Sequence, residues 1–226
     1  SMLLDALESS YSKVGIQDTI VITRSNKMAN RYNEGIRRTI LWKDSIISKG
    51  DYIMIVKNNY FWTAENKDVS FIANGDIAEI IDIDNYETLY GFDFANVTVR
   101  FSDYNNFEIT LKVLLNTLSS ESPSLSYEEN NKLYTEVSHD YAEIKNKRKL
   151  YEEIKKNPYF NALQIKFAYA ITCHKAQGGQ WKHVYIDHGF FNKDNVDQEF
   201  IRWLYTACTR ATEKIYFVNF KDDFFE

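Results

Sequence analysis

Glycine and proline are scarce, 8 and 2 in 226 residues, which excludes collagen-like and low-complexity chains. Cysteine is scarcer in effect. Cys173 and Cys208 stand far apart and neither belongs to a CxxC pair, so a disulfide scaffold is excluded and reduced thiols in a reducing compartment are expected. No apolar run reaches the roughly 18 residues of a membrane-spanning helix, and the N-terminus lacks the basic, apolar and small-residue order of a signal peptide. A chain with no membrane partner and a cytoplasmic location is the expectation. Positive charge is also short: 27 Lys and Arg against 32 Asp and Glu give a net charge of −5. That balance excludes a nucleic-acid binder working through overall charge, so any such site has to be local.

What is present belongs to a folded chain. Hydrophobic residues make up 44% and charged residues 26%, which excludes disorder as the main state. The length suits one large domain or two small ones, burying roughly 70–75% of the surface that the unfolded chain exposes. Aromatic residues are abundant, and core packing is the ordinary use of such rings. One local basic stretch, residues 143–156, carries Lys145, Lys147, Arg148, Lys149, Lys155 and Lys156 against Glu143, Glu152 and Glu153. A solvated helix face is its simplest reading. Ser1 before Met2 has the look of a tag-removal scar, which suggests that the chain was cut from something longer.

The chain opens in α/β grammar. Residues 3–11 read as a short helix, and the β-branched run TIVIT at 19–23 reads as a strand buried on both faces. Ser25 or Asn26 can then cap a helix reaching about Ile40, with Tyr32, Ile36 and Ile40 four apart along its buried face. From 50 to 115 the pattern changes to short strands, YIMIV, IAEIIDI and NVTVRF, with an Asn74-Gly75 turn, which fits a small twisted barrel. Residues 119–123 are a polar linker. Beyond it, Tyr134, Val137, Tyr141, Ile144 and Tyr151 predict one long amphipathic helix ending before Pro158. From 164 the α/β grammar returns: a strand near IKFAYAI, another at HVYID, a helix over 199–209 and a last strand KIYFVNF. The expected fold is therefore α/β, a parallel sheet built from 1–48 and 163–226, with a barrel at 49–118 and a helical segment at 119–162 inserted into it.

Two segments sit where an open parallel sheet presents its ligands. In YAITCHKAQGGQW, a strand delivers Thr172 to a turn, where its hydroxyl and the N–H groups of a following short helix suit a phosphate oxygen. Gln177, Gly178 and Gly179 permit close backbone approach, and Gln180 offers an amide. In WLYTACTRATEKIYFV, Arg210 ends a helix just before the last strand, where a guanidinium fork suits a phosphoryl group, although a salt bridge is the everyday use of such an arginine. His174, His183, His188 and Cys208 show no metal-ligand spacing, so core or surface roles are expected for them. Thr172 and Arg210 are expected along one rim of one sheet, open toward a companion lobe.

In this order the two segments resemble motifs V and VI of superfamily 1 helicases, specifically the RecD-like group with a UvrD-type C-terminal domain. TRSNKMANRYNEGIR at 23–37 is similar to the family's motif IVa region, and GDYIMIVKNNY with IANGDIAEIID resembles the opening of its inserted SH3-like barrel. The resemblance covers about 16–101 and 163–220. It implies a RecA-like second motor domain in which Arg210 reaches the γ-phosphate of ATP as an arginine finger. It likewise implies single-stranded DNA contacts at Arg24, Asn26, Thr172 and His174, nucleotide contacts at Gly178 and Gln180, and coupling through Gln177, Tyr205 and Thr206. The family usually has Glu at the position of Gln180, and an amide there can hydrogen bond to ribose but carries no charge.

No GxxxxGK[ST] occurs and no Walker B acid follows, so the resemblance places the first RecA-like domain, with its ATP and Mg²⁺ ligands, upstream of this chain. The expected function is the C-terminal half of an ATP-dependent DNA helicase, inactive alone and of 5′ to 3′ polarity by family analogy. Two alternatives stay open: a non-catalytic interaction module derived from a helicase half, and the motor of an exonuclease V-like complex with a nuclease subunit as partner.

Overall fold

The computed structural model describes residues 2–189, 196–221 and 224 and divides into two units, 1–44 with 167–226 and 45–166.

The first unit is built on a parallel sheet. Its strands are β1 (Thr19–Thr23), β7 (Ala170–Thr172), β8 (Trp181–Asp187) and β9 (Ala211–Val218), in the spatial order β7-β1-β8-β9. β1 is buried along its whole length, as its uninterrupted β-branched run requires. Helix α1 (Met2–Val14) packs on β1 and β8, α2 (Asn26–Thr39) on β1 and β7, and α5 (Gln198–Cys208) on β8 and β9. The Ser25 side chain accepts the Met28 N–H and starts α2, a cap worth about 1 kcal/mol. Asp197 does the same for α5 through the Phe200 N–H at 2.7 Å.

Edge strand β7 is only three residues long and has a bracket of its own. Asn33 on α2 donates to the Ala170 carbonyl at 2.9 Å and the Phe167 carbonyl at 3.2 Å, and accepts the Ala170 N–H at 2.7 Å. A single buried amide thus replaces a missing strand partner. Behind β8, the Ser10 hydroxyl meets the Tyr185 hydroxyl at 2.7 Å and His183 Nδ1 at 2.8 Å, tying α1 to the sheet.

The second unit holds a closed barrel of β2 (Tyr52–Ile55), β3 (Ile77–Leu89), β4 (Phe92–Phe101), β5 (Phe107–Leu114) and β6 (Leu163–Phe167). The first four strands pair antiparallel, β5 and β6 pair in parallel, and the Val56 N–H to Gln164 carbonyl bond at 2.9 Å closes the ring. Two register shifts in β3, at Ile80/Asp82 and Ile83/Asn85, supply the bending that closure needs.

Two expectations change here. The run IKFAYAI is not one strand of the α/β sheet: Leu163–Phe167 joins the barrel and Ala170–Thr172 joins the sheet. Both strands are largely buried, and no Gly or Pro marks the break. The single long helix is two, α3 (Tyr127–His139) and α4 (Lys147–Ile154). Ser126 and Glu129 form a reciprocal capping box at the start of α3, while Asn146 accepts the Arg148 and Lys149 N–H groups and restarts the chain as α4. Tyr134, Tyr141, Leu150, Tyr159 and Phe160, from both sides of the turn, pack on one cluster with Phe92, Phe94 and Leu133.

Candidate nucleotide and nucleic-acid interface

Strand direction decides where each candidate residue lies. The register pairs Thr23 with Thr172 and with Asp187, and Asp187 with Val218, so these four residues form the carboxyl edge of the sheet. Trp181 pairs with Ala211 at the amino edge. Arg24 and Asn26 directly follow β1 and Thr172 ends β7, whereas Gln180 and Arg210 directly precede β8 and β9. The backbone positions that carry the two groups therefore lie at opposite ends of β8, while the Arg210 side chain reaches back to Thr206, which lines a cavity with Arg24. This corrects the single-rim expectation: in a parallel sheet, a residue that ends a strand and one that precedes a strand face opposite edges.

At the amino edge, Arg210 is partly buried and held by three donations, Nε to the Thr206 carbonyl at 3.1 Å, Nη1 to the Gly179 carbonyl at 3.3 Å and Nη2 to Thr209 Oγ1 at 3.1 Å. Trp181 donates its backbone N–H to the Arg210 carbonyl at 2.9 Å. Among the described residues no carboxylate pairs with Arg210, so the everyday salt bridge is not what fixes it. The second hydrogens on Nη1 and Nη2 remain as a fork suited to a phosphoryl oxygen. Gly178 has φ +87°, a left-handed conformation that favours glycine, and it and Gln180 are exposed beside this arginine in sequence and along the edge. At Gly179 a Cβ would lie 2.4 Å from the Trp181 indole, so glycine is required for close packing.

Residues 172–179 run from one edge to the other as consecutive turns. Cys173 N–H bonds to the Thr23 carbonyl, Lys175 and Ala176 N–H to Thr172, Gln177 N–H to His174, and Gly179 N–H to Ala176. The expected short helix is replaced by turns, and the Cys173, Lys175, Ala176, Gln177 and Gly179 N–H groups are already bonded to backbone carbonyls. Thr172 and Lys175, half-buried, and the exposed His174 and Gln177 carry the polar side chains of this stretch.

Between the two edges, Arg24, His174, Gln177 and Thr206 line one cavity of about 240 Å³ together with Glu199, Arg202 and Trp203, and the Thr206 carbonyl on its wall is the one that Arg210 Nε bonds. Arg24 is exposed, and its guanidinium carbon lies 5.7 Å from the ring centroids of both Phe200 and Trp203. A helix α5 that ends next to Arg210 thus also supports Arg24. Glu199, Arg202, Trp203 and Thr206 follow the i, i+3, i+4, i+7 spacing of one helix face, a signal present in the sequence and not used there. Next to it, Arg24, Lys27 and Arg31 line a cavity of about 440 Å³ with Met28 and His188, and among the described residues no carboxylate lines it. Tyr205 is 71% exposed on α5 and outside both cavities, and Asn26 starts α2 beside Arg24.

Asp187 is buried at the same edge and accepts from Tyr32 Oη at 2.5 Å, Asn219 Nδ2 at 3.0 Å and the Gly189 N–H at 2.7 Å. Burial and this carboxylate push the Tyr32 phenol up. Burial likewise raises the Cys173 thiol to about 11, which removes it as a nucleophile.

Residues 167–218 match the family model of the UvrD-like helicase C-terminal domain. An uncharacterized protein of Acanthamoeba polyphaga mimivirus is 24% identical over 88% of this chain, which spans 47% of that protein. A Pif1 helicase from Bacteroides, solved with ADP-AlF3 and ssDNA, aligns with 96% of the chain and 45% of its own at a TM-score of 0.49 and 14% identity. Pif1 helicase from Candida albicans aligns with 99% of the chain and 54% of its own at 0.43 and 10%. The chain spans about half the length of these proteins. Among the described residues, no helix is long and apolar enough to cross a membrane.

Proposed function

We propose that this chain, which carries a helicase C-terminal domain, is the second motor domain of an ATP-dependent, RecD-like superfamily 1 DNA helicase moving 5′ to 3′. The observation that carries this reading is the division of the sheet into a phosphoryl-suited edge and a cationic edge, joined by residues 172–179 and by α5.

ATP sits between this domain and an upstream RecA-like domain that supplies the phosphate loop and the Mg²⁺ ligands. The residues present fit the distal side of such a nucleotide: Arg210 offers a guanidinium fork without a carboxylate partner, Gly178 leaves backbone space, and the Gln180 amide can hydrogen bond to a ribose hydroxyl. Arg210 stabilises charge on the transferring phosphoryl group, an effect worth about 10³–10⁵ in rate. At the other edge, Arg24, with Asn26, Thr172 and His174, grips the sugar–phosphate backbone of single-stranded DNA. Such contacts ignore base identity and weaken with salt. Gln177, Tyr205 and Thr206 belong to the two segments that link the edges, and they relay closure of the cleft to the strand. Alone, the chain binds ATP weakly and does not turn it over, because the phosphate loop lies outside it.

The test is ATP turnover by the full-length protein with and without single-stranded DNA. Stimulation by the strand is expected. Turnover by this chain alone, or none by the full-length protein in the presence of DNA, contradicts the reading.

A further inference from the structure

Helix α5 carries a seat of two rings. Phe200 and Trp203, spaced i, i+3 on one helix face, stack with centroids 5.9 Å apart at 28°, and the Arg24 guanidinium carbon lies 5.7 Å from each centroid. Phe200 is buried and its N–H is capped by Asp197, so the seat starts from a fixed helix end. Trp203 is half-buried and lines the cavity shared with Arg24, His174 and Gln177. Rings against the face of a guanidinium fix its height and leave hydrogen bonding to its edge.

The tryptophan acts through its face and its backbone. Its indole N–H, the polar handle that ordinarily finds a partner when buried, is shielded and meets no acceptor among the described residues. An orphaned donor costs stability, and a phenyl ring would avoid that cost. What the indole offers is the best of the aromatic faces for a cation. The backbone of the same residue makes a second link, because the Cys173 thiol, next to Thr172, donates to the Trp203 carbonyl at 3.5 Å. One turn further on, the Thr206 carbonyl accepts from Arg210 Nε at 3.1 Å. Trp203 therefore stands where the residues following β1 and β7 meet the helix that leads to Arg210.

We propose that Trp203 is a positioning residue, its ring seating Arg24 and its backbone holding Cys173, so that a shift of α5 moves Arg24 and Arg210 together. What the two arginines bind rests on the motor reading above, whereas the link between them is made of contacts within this one unit. A change at one arginine reaches the other through a ring, one helical turn and a carbonyl.

The experiment uses the full-length protein and an oligothymidylate. Trp203→Leu should raise the strand concentration for half-maximal ATP turnover about two- to fivefold, while Trp203→Phe, which keeps a ring, stays within about twofold of wild type. Added to Arg24→Ala, Trp203→Leu should change that concentration by less than about 1.5-fold, since a residue acting through Arg24 then has nothing to act on. Protein labelled with 5-fluorotryptophan gives a second measurement that needs no Trp203→Leu variant. The fluorine resonance missing from Trp203→Phe should shift when the strand binds, and Arg24→Ala at saturating strand should lose that shift. ADP with aluminium fluoride should shift the same resonance in wild type and not in Arg210→Ala. Additive effects in the double variant, or a Trp203 resonance that ignores both ligands, overturn the proposal. A wild type whose turnover ignores the strand overturns the motor reading instead, and the fluorine resonance still decides whether Trp203 responds to the strand through Arg24.

Discussion

Arg210 and Gly179 are joined at the amino edge of the parallel sheet, the guanidinium donating from Nη1 to the Gly179 carbonyl at 3.3 Å. The bond links the last residue before β9 to the turn that leads into β8. Motion of residues 172–179 therefore moves the carbonyl that orients the arginine. The same turns begin at Thr172 on the opposite edge, so the two ends of the sheet share one backbone segment.

Gly179→Ala tests that segment. The added methyl would meet the Trp181 ring at 2.4 Å, so either the indole or the turn must shift. A loss of about 1–3 kcal/mol in urea unfolding is expected, with a changed Trp emission spectrum. Wild-type stability and emission would show that the close approach is unimportant.

Asn33→Ala removes the bracket of β7 and strands the Ala170 N–H and two carbonyls in a buried place. The expected cost is about 1–3 kcal/mol. Asn33→Asp keeps the acceptor and loses the donor, so it should fall short of wild type as well. Chemical denaturation of both variants checks the order.

Glu87 makes stability depend on pH. Hydrogen bonds from Tyr159 at 2.5 Å and Lys112 at 3.0 Å hold its carboxyl at about 2, below the ordinary 4.5. A depressed carboxyl contributes stability that is fully present above pH 4.5 and is lost as pH falls toward 2. Partial exposure limits the effect to about 1–2 kcal/mol. Glu87→Gln should lower stability at neutral pH and flatten the decline between pH 4.5 and 2, followed by denaturant titration at each pH. His183 acts in the same direction at higher pH, because burial, aided by Lys214, lowers its affinity for a proton and protonation on acidification opposes folding.

Much of this arrangement is legible in residue order. TIVIT followed by a Ser with polar residues reads directly as a buried strand and a capped helix, and both form at those positions. The opposite placement of Thr172 and Arg210 was equally legible, since one ends a strand and the other precedes one, but local chemistry alone does not carry direction. Other features are tertiary. Asn33 looks like any polar helix residue until β7 arrives beside it, 137 positions later. The division of β6 from β7 is hidden because both segments are largely buried and no Gly or Pro stands between them. The break between α3 and α4 is hidden because Tyr134, Val137, Tyr141, Ile144 and Tyr151 keep helical spacing through it, although Leu150, off that spacing, is the residue that joins Tyr134 and Tyr141 on the cluster.

The most direct test compares Arg210→Ala and Arg24→Ala in the full-length protein, measuring ATP turnover at saturating single-stranded DNA and strand affinity by anisotropy. With nucleotide and strand served by opposite edges, Arg210→Ala should lose at least about 10³ in turnover and keep its strand affinity. Arg24→Ala should lose affinity and recover much of its turnover when the strand is in excess. Equal loss of both properties in both variants, or full turnover in Arg210→Ala, would contradict the two-edge assignment.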